Sequence, residues 1–461
     1  MIALERFFQR ANDASLVQCS GVVLRVVGLA VVASGPAVPV GETCTLRLSN
    51  GEQRLALVTG FREGETILQP IGHLDGIRPG DLVIARHRAL DIPVGPGLIG
   101  RVIDGVGNPL DGKGPLLGSA RRPIASDPPP ALSRTPITRI METGLKAIDT
   151  LFTIGHGQRM GIFAGSGVGK STLLGEMAKH ARADVNVIAL VGERGREVGE
   201  FIDKVLGAEG LARSVVVVAT SDRPSVERLS AAYAATAIAE SFRDAGLDVL
   251  LMMDSVTRLC QAQREIGLAA GEPPVTRGYP PSAFAILPRL LERAGTGAFV
   301  PSAGKAGAIT ALYTVLIDGD DENDPVGDTV RAILDGHLFL SRRMAGQAIY
   351  PAIDPTLSVS RLLIDLAQNE EYRMALQARE LWSEYERVRD LVEVGAYRAG
   401  SDPRLDRAIA AFPKLIQFLR QDIGVVAQRR DGLASLLAIV GASGAGNGAG
   451  SGPGSGPGSG A

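Results

Sequence analysis

The chain has little of what would mark a secreted, membrane-spanning or nucleic-acid-binding protein. Only three cysteines, Cys19, Cys44 and Cys260, occur in 461 residues. Odd in number and far apart, they build no disulfide framework and read as reduced thiols of a cytosolic protein. The five histidines show no metal-ligand spacing. Long apolar runs are missing too: the richest stretch, VVGLAVVASGPAVPVG, is broken by Gly28, Gly35 and Pro36, which argues against a membrane span. The opening MIALERFFQR sets Glu5 and Arg6 where a signal peptide needs an apolar core. Neither sign of charge is in excess, with 48 Lys and Arg against 50 Asp and Glu and a net charge of -2. No overall electrostatic footprint for nucleic acid or anionic lipid follows. What remains, 45% hydrophobic and 21% charged residues, describes a soluble globular protein too long for one core, so two or three domains are expected.

Along the chain the patterning changes five times. Residues 1–16 read as a short helix with Ile2, Leu4, Phe7 and Phe8 on one side, either packed on its own domain or binding a partner. From Gly21 to about Leu90, short β-rich runs follow. CTLRLS alternates Cys44, Leu46 and Leu48 against Thr45, Arg47 and Ser49, and Asn50-Gly51 marks a tight turn before QRLALVTGF. Such spacing suggests a small sandwich or barrel. Prolines and glycines then gather over residues 93–130, as in a linker. Beyond them the apolar runs MGIFAG, VNVIALVG, SVVVVATS and DVLLMMD alternate with helical patterns, which predicts an α/β fold with a parallel sheet covered by helices. From about Leu362 the chain reads as amphipathic helices, and it ends in a Gly/Ser/Pro tail expected to be disordered.

One stretch carries specific chemistry. RMGIFAG reads as a strand, GSGVG as a turn and KSTLLGEMAKH as the start of a helix. Such a loop turns successive N–H groups inward at the positive end of a helix dipole, which suits phosphate. Ala164, Gly165, Ser166, Gly167, Val168, Gly169, Lys170, Ser171 and Thr172 are therefore candidate nucleotide contacts. Lys170 is expected to reach the β- and γ-phosphates and Ser171 to ligand Mg²⁺. Ala164 departs from the usual opening glycine, which is tolerable where φ is negative. Asp254, closing the apolar strand DVLLMMD, is a candidate for holding Mg²⁺ through water. Glu193 in ALVGERGREVGEF follows another buried strand and is the candidate that orients and polarises the attacking water. Its neighbours Arg194, Arg196 and Glu197 also read as a solvated charge cluster.

Taken together, AGSGVGKST, GERGRE and LLMMDSVTR resemble the catalytic subunits of the rotary ATPases, and PAIDPTLSVS (residues 351–360) resembles that family's signature. GEPPVTRGYPPSAFAILPRLLERAG (271–295) and the segment GAITALYTVLIDGDDENDPVGDTVRAILDGHLFLSR resemble the ATPases of flagellar and type III protein export, and GAYRAGSDPRLDRAI (395–409) resembles the flagellar export ATPases. The resemblance spans residues 20 to about 435. It implies an N-terminal β-barrel (1–91), a RecA-like ATPase domain (92–361) and a C-terminal helical domain (362–438), with residues 439–461 as the tail. It also implies a homohexameric ring with sites between subunits, using ATP and Mg²⁺. By the same resemblance Glu197 supports the metal's water shell, Tyr350 stacks on adenine, and Arg361 is an arginine finger reaching a neighbour's site. The proline-rich EPPVTRGYPPS is expected to be a stiff loop toward the pore. The acidic DGDDENDP (318–325) reads either as facing a basic central stalk or as a solvated turn.

The expected function is Mg-dependent ATP hydrolysis energising flagellar type III protein export, through release and unfolding of substrate–chaperone complexes. The implied partners are a stator-like dimer at the N-terminus, a central stalk protein, an export gate and chaperone–substrate complexes. The expected location is the cytoplasm, peripheral to the inner-membrane export apparatus. A virulence injectisome ATPase shares nearly all these motifs and stays open as the alternative. An ATP synthase β-type subunit fits less well because of the RGYPPS loop. A Rho-type RNA translocase is disfavoured by the near-neutral charge and the lack of an aromatic–basic RNA-binding segment. A non-catalytic nucleotide-binding subunit would be expected to lack the carboxylate of Glu193.

Overall fold

The computed structural model describes residues 18–116, 118–317 and 324–442. The N-terminal helix, most of the acidic loop and residues 443–461 of the Gly/Ser/Pro tail anticipated above lie outside the described residues, while residues 439–442, expected to open that tail, continue the last helix. The chain forms two compact units: one takes residues up to 137 with 156–163 and 183–334, and the other takes 138–155, 164–182 and the residues from 335 onward.

The first unit opens with a closed barrel of six strands: β1 (Ser20–Val27), β2 (Ala30–Ala33), β3 (Glu42–Arg47), β4 (Gln53–Arg62), β5 (Glu65–Pro70) and β6 (Leu82–Ala89). The alternation read in CTLRLS is the barrel's inside and outside. Cys44, Leu46 and Leu48 are buried with Val58, Leu68 and Val83, while Arg47 faces out. Burial pushes the Cys44 thiol up to about 11, so it packs as a small apolar group rather than as a thiolate.

Composition alone made residues 93–130 a linker, but they carry structure. β7 (Asp91–Val94) pairs with β9 (Ala120–Pro123), and between them β8 (Val102–Asp104) runs parallel to a strand of the main sheet. The glycines and prolines sit in turns around β8. Its side chains, Val102, Ile103 and Asp104, are all buried.

After the short strands β10 (Ile140–Met141) and β11 (Ile154–Gly155), the chain lays down β12 (Arg159–Ala164), β13 (Val185–Val191), β14 (Ser214–Ala219) and β15 (Asp248–Asp254). Then come β16 (Gly295–Val300) and β17 (Lys305–Leu316). In the first unit these order as β12-β17-β15-β13-β14-β8, with β16 added antiparallel to β17. β13, β14 and β15 are buried at every residue. That is why their sequences read as near-continuous Val, Ile, Leu, Met and Ala rather than as alternation, with polar residues at strand ends and Asn186 inside β13. The helix Ser225–Asp244, rich in alanine, lies over these strands with most of its length buried. Between that helix and the sheet end, Arg293 makes a fully buried two-pronged pair with Glu240 at 2.8 and 2.7 Å and donates to the Ile124 carbonyl at 2.7 Å.

The second unit holds the helix Lys170–His180, two short strands β18 (Gly336–Leu340) and β19 (Val359–Ser360) that pair antiparallel, and a helical bundle. The bundle's helices are Asn369–Glu393, Pro403–Leu419 and Arg429–Ala442. Its centre is aromatic: Trp382 packs on Phe412 with centroids 4.8 Å apart, and Tyr385 stacks on the same ring. Arg429 fastens the last helix with a bidentate pair to Glu371 at 2.8 and 3.0 Å. Among the described residues no helix is long and apolar enough to cross a membrane.

Candidate functional site

The phosphate-type loop begins where β12 ends. Ala164 is the last residue of that strand and is absent from the positive-φ residues, so a β-carbon is accommodated there. The demand for glycine falls further along: Gly167 has φ 80° and Gly169 φ 90°, both left-handed. At Gly165 the constraint is steric, because a β-carbon would lie 2.7 Å from Arg342 Nε. Val168 is buried and anchors the loop, Ser166 is exposed, and Lys170, Ser171 and Thr172 open the helix Lys170–His180. The left-handed Gly169 caps that helix without a side-chain bond, which leaves its first N–H groups directed at the loop.

Tyr350 belongs to the same unit. A β-carbon on Gly169 would sit 3.4 Å from Tyr350 Cε1, so the ring lies against the loop. Gly167, Gly169, Thr172 and Tyr350 together line a cavity of about 440 Å³, whose other walls include Pro351, Glu176 and Ile423. That volume falls in the range of small-molecule sites. Tyr350 is 44% exposed and Ile423 73% exposed, so two large apolar side chains are held open to solvent beside a phosphate-type loop. Arg361 is also in this unit, immediately after β19; its N–H donates to the Asp335 carbonyl at 2.9 Å and the residue is exposed.

Glu193 and Asp254 belong to the first unit and share one edge of its sheet. Leu190 of β13 pairs in parallel register with Asp254, the last residue of β15, and Glu193 follows three residues after Leu190. Gly192, at φ 72°, turns the chain between them. Asp254 is buried and accepts a 2.7 Å bond from the Thr314 hydroxyl on β17. Glu193 is half-buried, and its carbonyl receives the Ser221 N–H at 2.9 Å. Glu197 and Arg194 are exposed and 3.6 Å apart, as a solvated ion pair would be. The proline-rich loop closes on itself: Val275 N–H donates to the Tyr279 carbonyl and Tyr279 N–H to Thr276, with Arg277 at φ 49°. Of the acidic loop, Asp324 is described; it caps the helix Pro325–Ile333 through Gly327 N–H at 2.8 Å.

Several residues that shape the cavity carry no sequence signal. Glu176 lies two turns into the loop's own helix, and Gln421 and Asp422 come from the connection between the helices Pro403–Leu419 and Arg429–Ala442. Nearby, burial raises the Asp149 carboxyl to about 6, against the opposing bonds from Thr143 and Gly144.

A buried parallel sheet whose strand runs through a glycine loop into a helix N-terminus defines a phosphate-loop nucleotide-binding protein. Comparison with known proteins narrows this class. Residues 144–360 match the nucleotide-binding domain of the ATP synthase alpha/beta family, residues 23–86 the beta-barrel domain of that family, and residues 367–438 the T3SS EscN ATPase C-terminal domain. The chain is 52% identical over 425 residues to the flagellum-specific ATP synthase of Bacillus subtilis, covering 91% of this chain and 95% of that one. It is also 52% identical over 403 residues to the type 3 secretion system ATPase of Xanthomonas euvesicatoria, covering 87% and 89% of the two chains. Among solved structures it is similar to the assembled ATPase EscN in complex with its central stalk EscO from enteropathogenic E. coli. That match has a TM-score of 0.82 and 42% identity, and covers 91% of this chain and 100% of the other. The chain belongs to the ATP synthase alpha/beta family, in its branch of flagellar and type III secretion ATPases, and is an ATP-using enzyme.

Proposed function

We propose that this chain is the ATP hydrolase of a flagellar type III export system. The observation that carries the reading is the shared cavity, in which Gly167, Gly169 and Thr172 of the loop face the same space as the exposed ring of Tyr350. A nucleotide needs both kinds of surface, N–H groups and a cation for phosphate and a flat apolar face for the base. In this reading the backbone from Gly165 to Lys170 and the Lys170 ammonium hold the β- and γ-phosphates, and Tyr350 stacks on adenine.

Glu193 orients the attacking water and polarises it as the γ-phosphoryl group departs. Ser171 and Asp254 supply hydroxyl and carboxylate oxygens, the hard donors that Mg²⁺ takes, and Glu197 supports its water shell. When bound, the ion would draw charge off the phosphate oxygens. Arg361 is the finger that a neighbouring copy offers to the developing charge. That role requires a closed ring, taken here as a homohexamer by likeness to the assembled relative. A central stalk is a partner on the same ground. A stator-like dimer, the export gate and chaperone–substrate complexes complete the proposed machine at the cytoplasmic face of the inner membrane.

The flagellar reading is preferred to the injectisome one because, at the same 52% identity, the flagellum-specific relative aligns over 425 residues and the type 3 secretion relative over 403. The segment 395–409 also favours it. Two experiments test the proposal. Lys170→Ala should abolish ATP-dependent phosphate release, and retained release would remove this loop as the site. Expression in a non-motile strain lacking its flagellar export ATPase should restore filaments; rescue of needle secretion alone would favour the injectisome.

A further inference from the structure

The cavity beside Tyr350 is roofed by a stretch with no helix or strand of its own, residues 421–424, and two side chains, its own Gln421 and the distant Glu176, hold that stretch in place. Gln421 spends its whole side-chain amide on backbone. Its Nε2 donates to the Gly144 carbonyl at 2.7 Å and to the Val425 carbonyl at 2.6 Å, while its Oε1 accepts the Lys146 N–H at 2.7 Å. Its own backbone N–H donates to the Tyr350 carbonyl at 2.8 Å. Three residues on, Gly424 N–H donates to Glu176 Oε2 at 2.6 Å, and Glu176 sits on the helix that the phosphate-type loop opens. Tyr350, the roof and the helix are thus joined in one hydrogen-bonded frame.

The frame has a task that packing alone does not perform. Ile423 and Tyr350 are both exposed, so contact with the core holds neither in position. An exposed loop without such ties samples many conformations, and ordering it on binding costs conformational entropy. We infer that Gln421 and Glu176 are positioning residues for the base of the nucleotide: they hold Ile423 opposite Tyr350 as the second wall of a slot for a flat ring. This inference rests on the reading that the base lies against Tyr350. Neither residue touches phosphate in this reading, so both act on the base alone.

The test separates base from phosphate. ATP affinity is measured beside that of inorganic tripolyphosphate, which has the phosphates and no base, as a competitor of ATP hydrolysis. Gln421→Leu should weaken ATP binding about tenfold, the order of one lost base-stacking contact, with the inhibition constant of tripolyphosphate unchanged. Glu176→Ala should act the same way, and Glu176→Gln, which keeps an acceptor for Gly424 N–H, should restore wild-type affinity. If Gln421→Leu does not fold, the two Glu176 variants decide. Equal weakening of ATP and tripolyphosphate, or no weakening of either, would overturn the inference. Tyr350→Ala distinguishes the two levels. If it leaves ATP affinity intact, the base reading itself falls and the positioning role with it. If it weakens ATP alone while the Gln421 and Glu176 variants bind like wild type, only the positioning role falls.

Discussion

Gly165 and the guanidinium of Arg342 occupy adjoining space: a β-carbon on the glycine would lie 2.7 Å from Arg342 Nε and 2.8 Å from Nη2. The glycine at this place is therefore required by a neighbour rather than by its own backbone angles. Gly165→Ala should reduce kcat/KM for ATP, because either the loop or the arginine must move. In the double variant with Arg342→Ala the alanine has room, so the loss should be smaller than the sum of the two single losses. Ala164→Gly, at an extended strand end, should leave both kinetic constants within about twofold. Steady-state kinetics of the four proteins checks the relationship.

Glu193 is held half-buried beyond β13, on the sheet edge that Asp254 closes. Glu193→Gln keeps the shape and removes the charge. It should bind ATP as the wild type does and slow turnover by roughly 10²–10⁴-fold, the range of a positioned acid–base group. Equilibrium nucleotide binding paired with single-turnover hydrolysis is the measurement; undiminished turnover takes Glu193 out of the mechanism.

Arg361 is exposed and lies at the end of β19. As a finger offered to another copy, its replacement by alanine should cost roughly 10³–10⁵-fold in turnover. Mixing Arg361→Ala with Lys170→Ala chains should recover part of the activity, since each contributes the half-site the other lacks. Absence of recovery in mixed rings would count against a shared site.

Arg293 and Glu240 form a pair with almost no solvent exposure at either side chain. Removing one partner leaves a buried charge, so Arg293→Ala should lower stability by about 3–5 kcal/mol. Replacing both, Arg293→Met with Glu240→Leu, should cost much less. Urea unfolding midpoints of the first unit's signal would show the difference, and equal losses would mean that the pair itself is not the source.

The parts of this protein legible in its sequence are those whose physics is local. A phosphate cradle uses the N–H groups of consecutive residues, so Ala164 to Thr172 stand out as one short string. Strands buried on both faces are apolar at nearly every interior position, so β13, β14 and β15 read as near-continuous runs, with Asn186 the polar exception inside β13. The barrel's alternation at Cys44, Leu46 and Leu48 is equally local.

Composition misled at residues 93–130. Glycine and proline there mark the turns around β8, and three residues suffice for a strand when a sheet edge is present to pair with it. No window of sequence contains that edge.

The frame around the cavity was decided by tertiary structure for the same reason. Gly424 meets Glu176 across 248 residues and Gln421 meets Gly144 across 277. A glutamine within a helical region and a glutamate on an amphipathic helix look like ordinary polar positions until folding brings their partners within 3 Å. By itself the sequence determined a phosphate-type loop at a helix N-terminus, because that needs only neighbouring backbone. Which side chains line the cavity beside it depends on contacts between segments hundreds of residues apart, and only the folded chain supplies them.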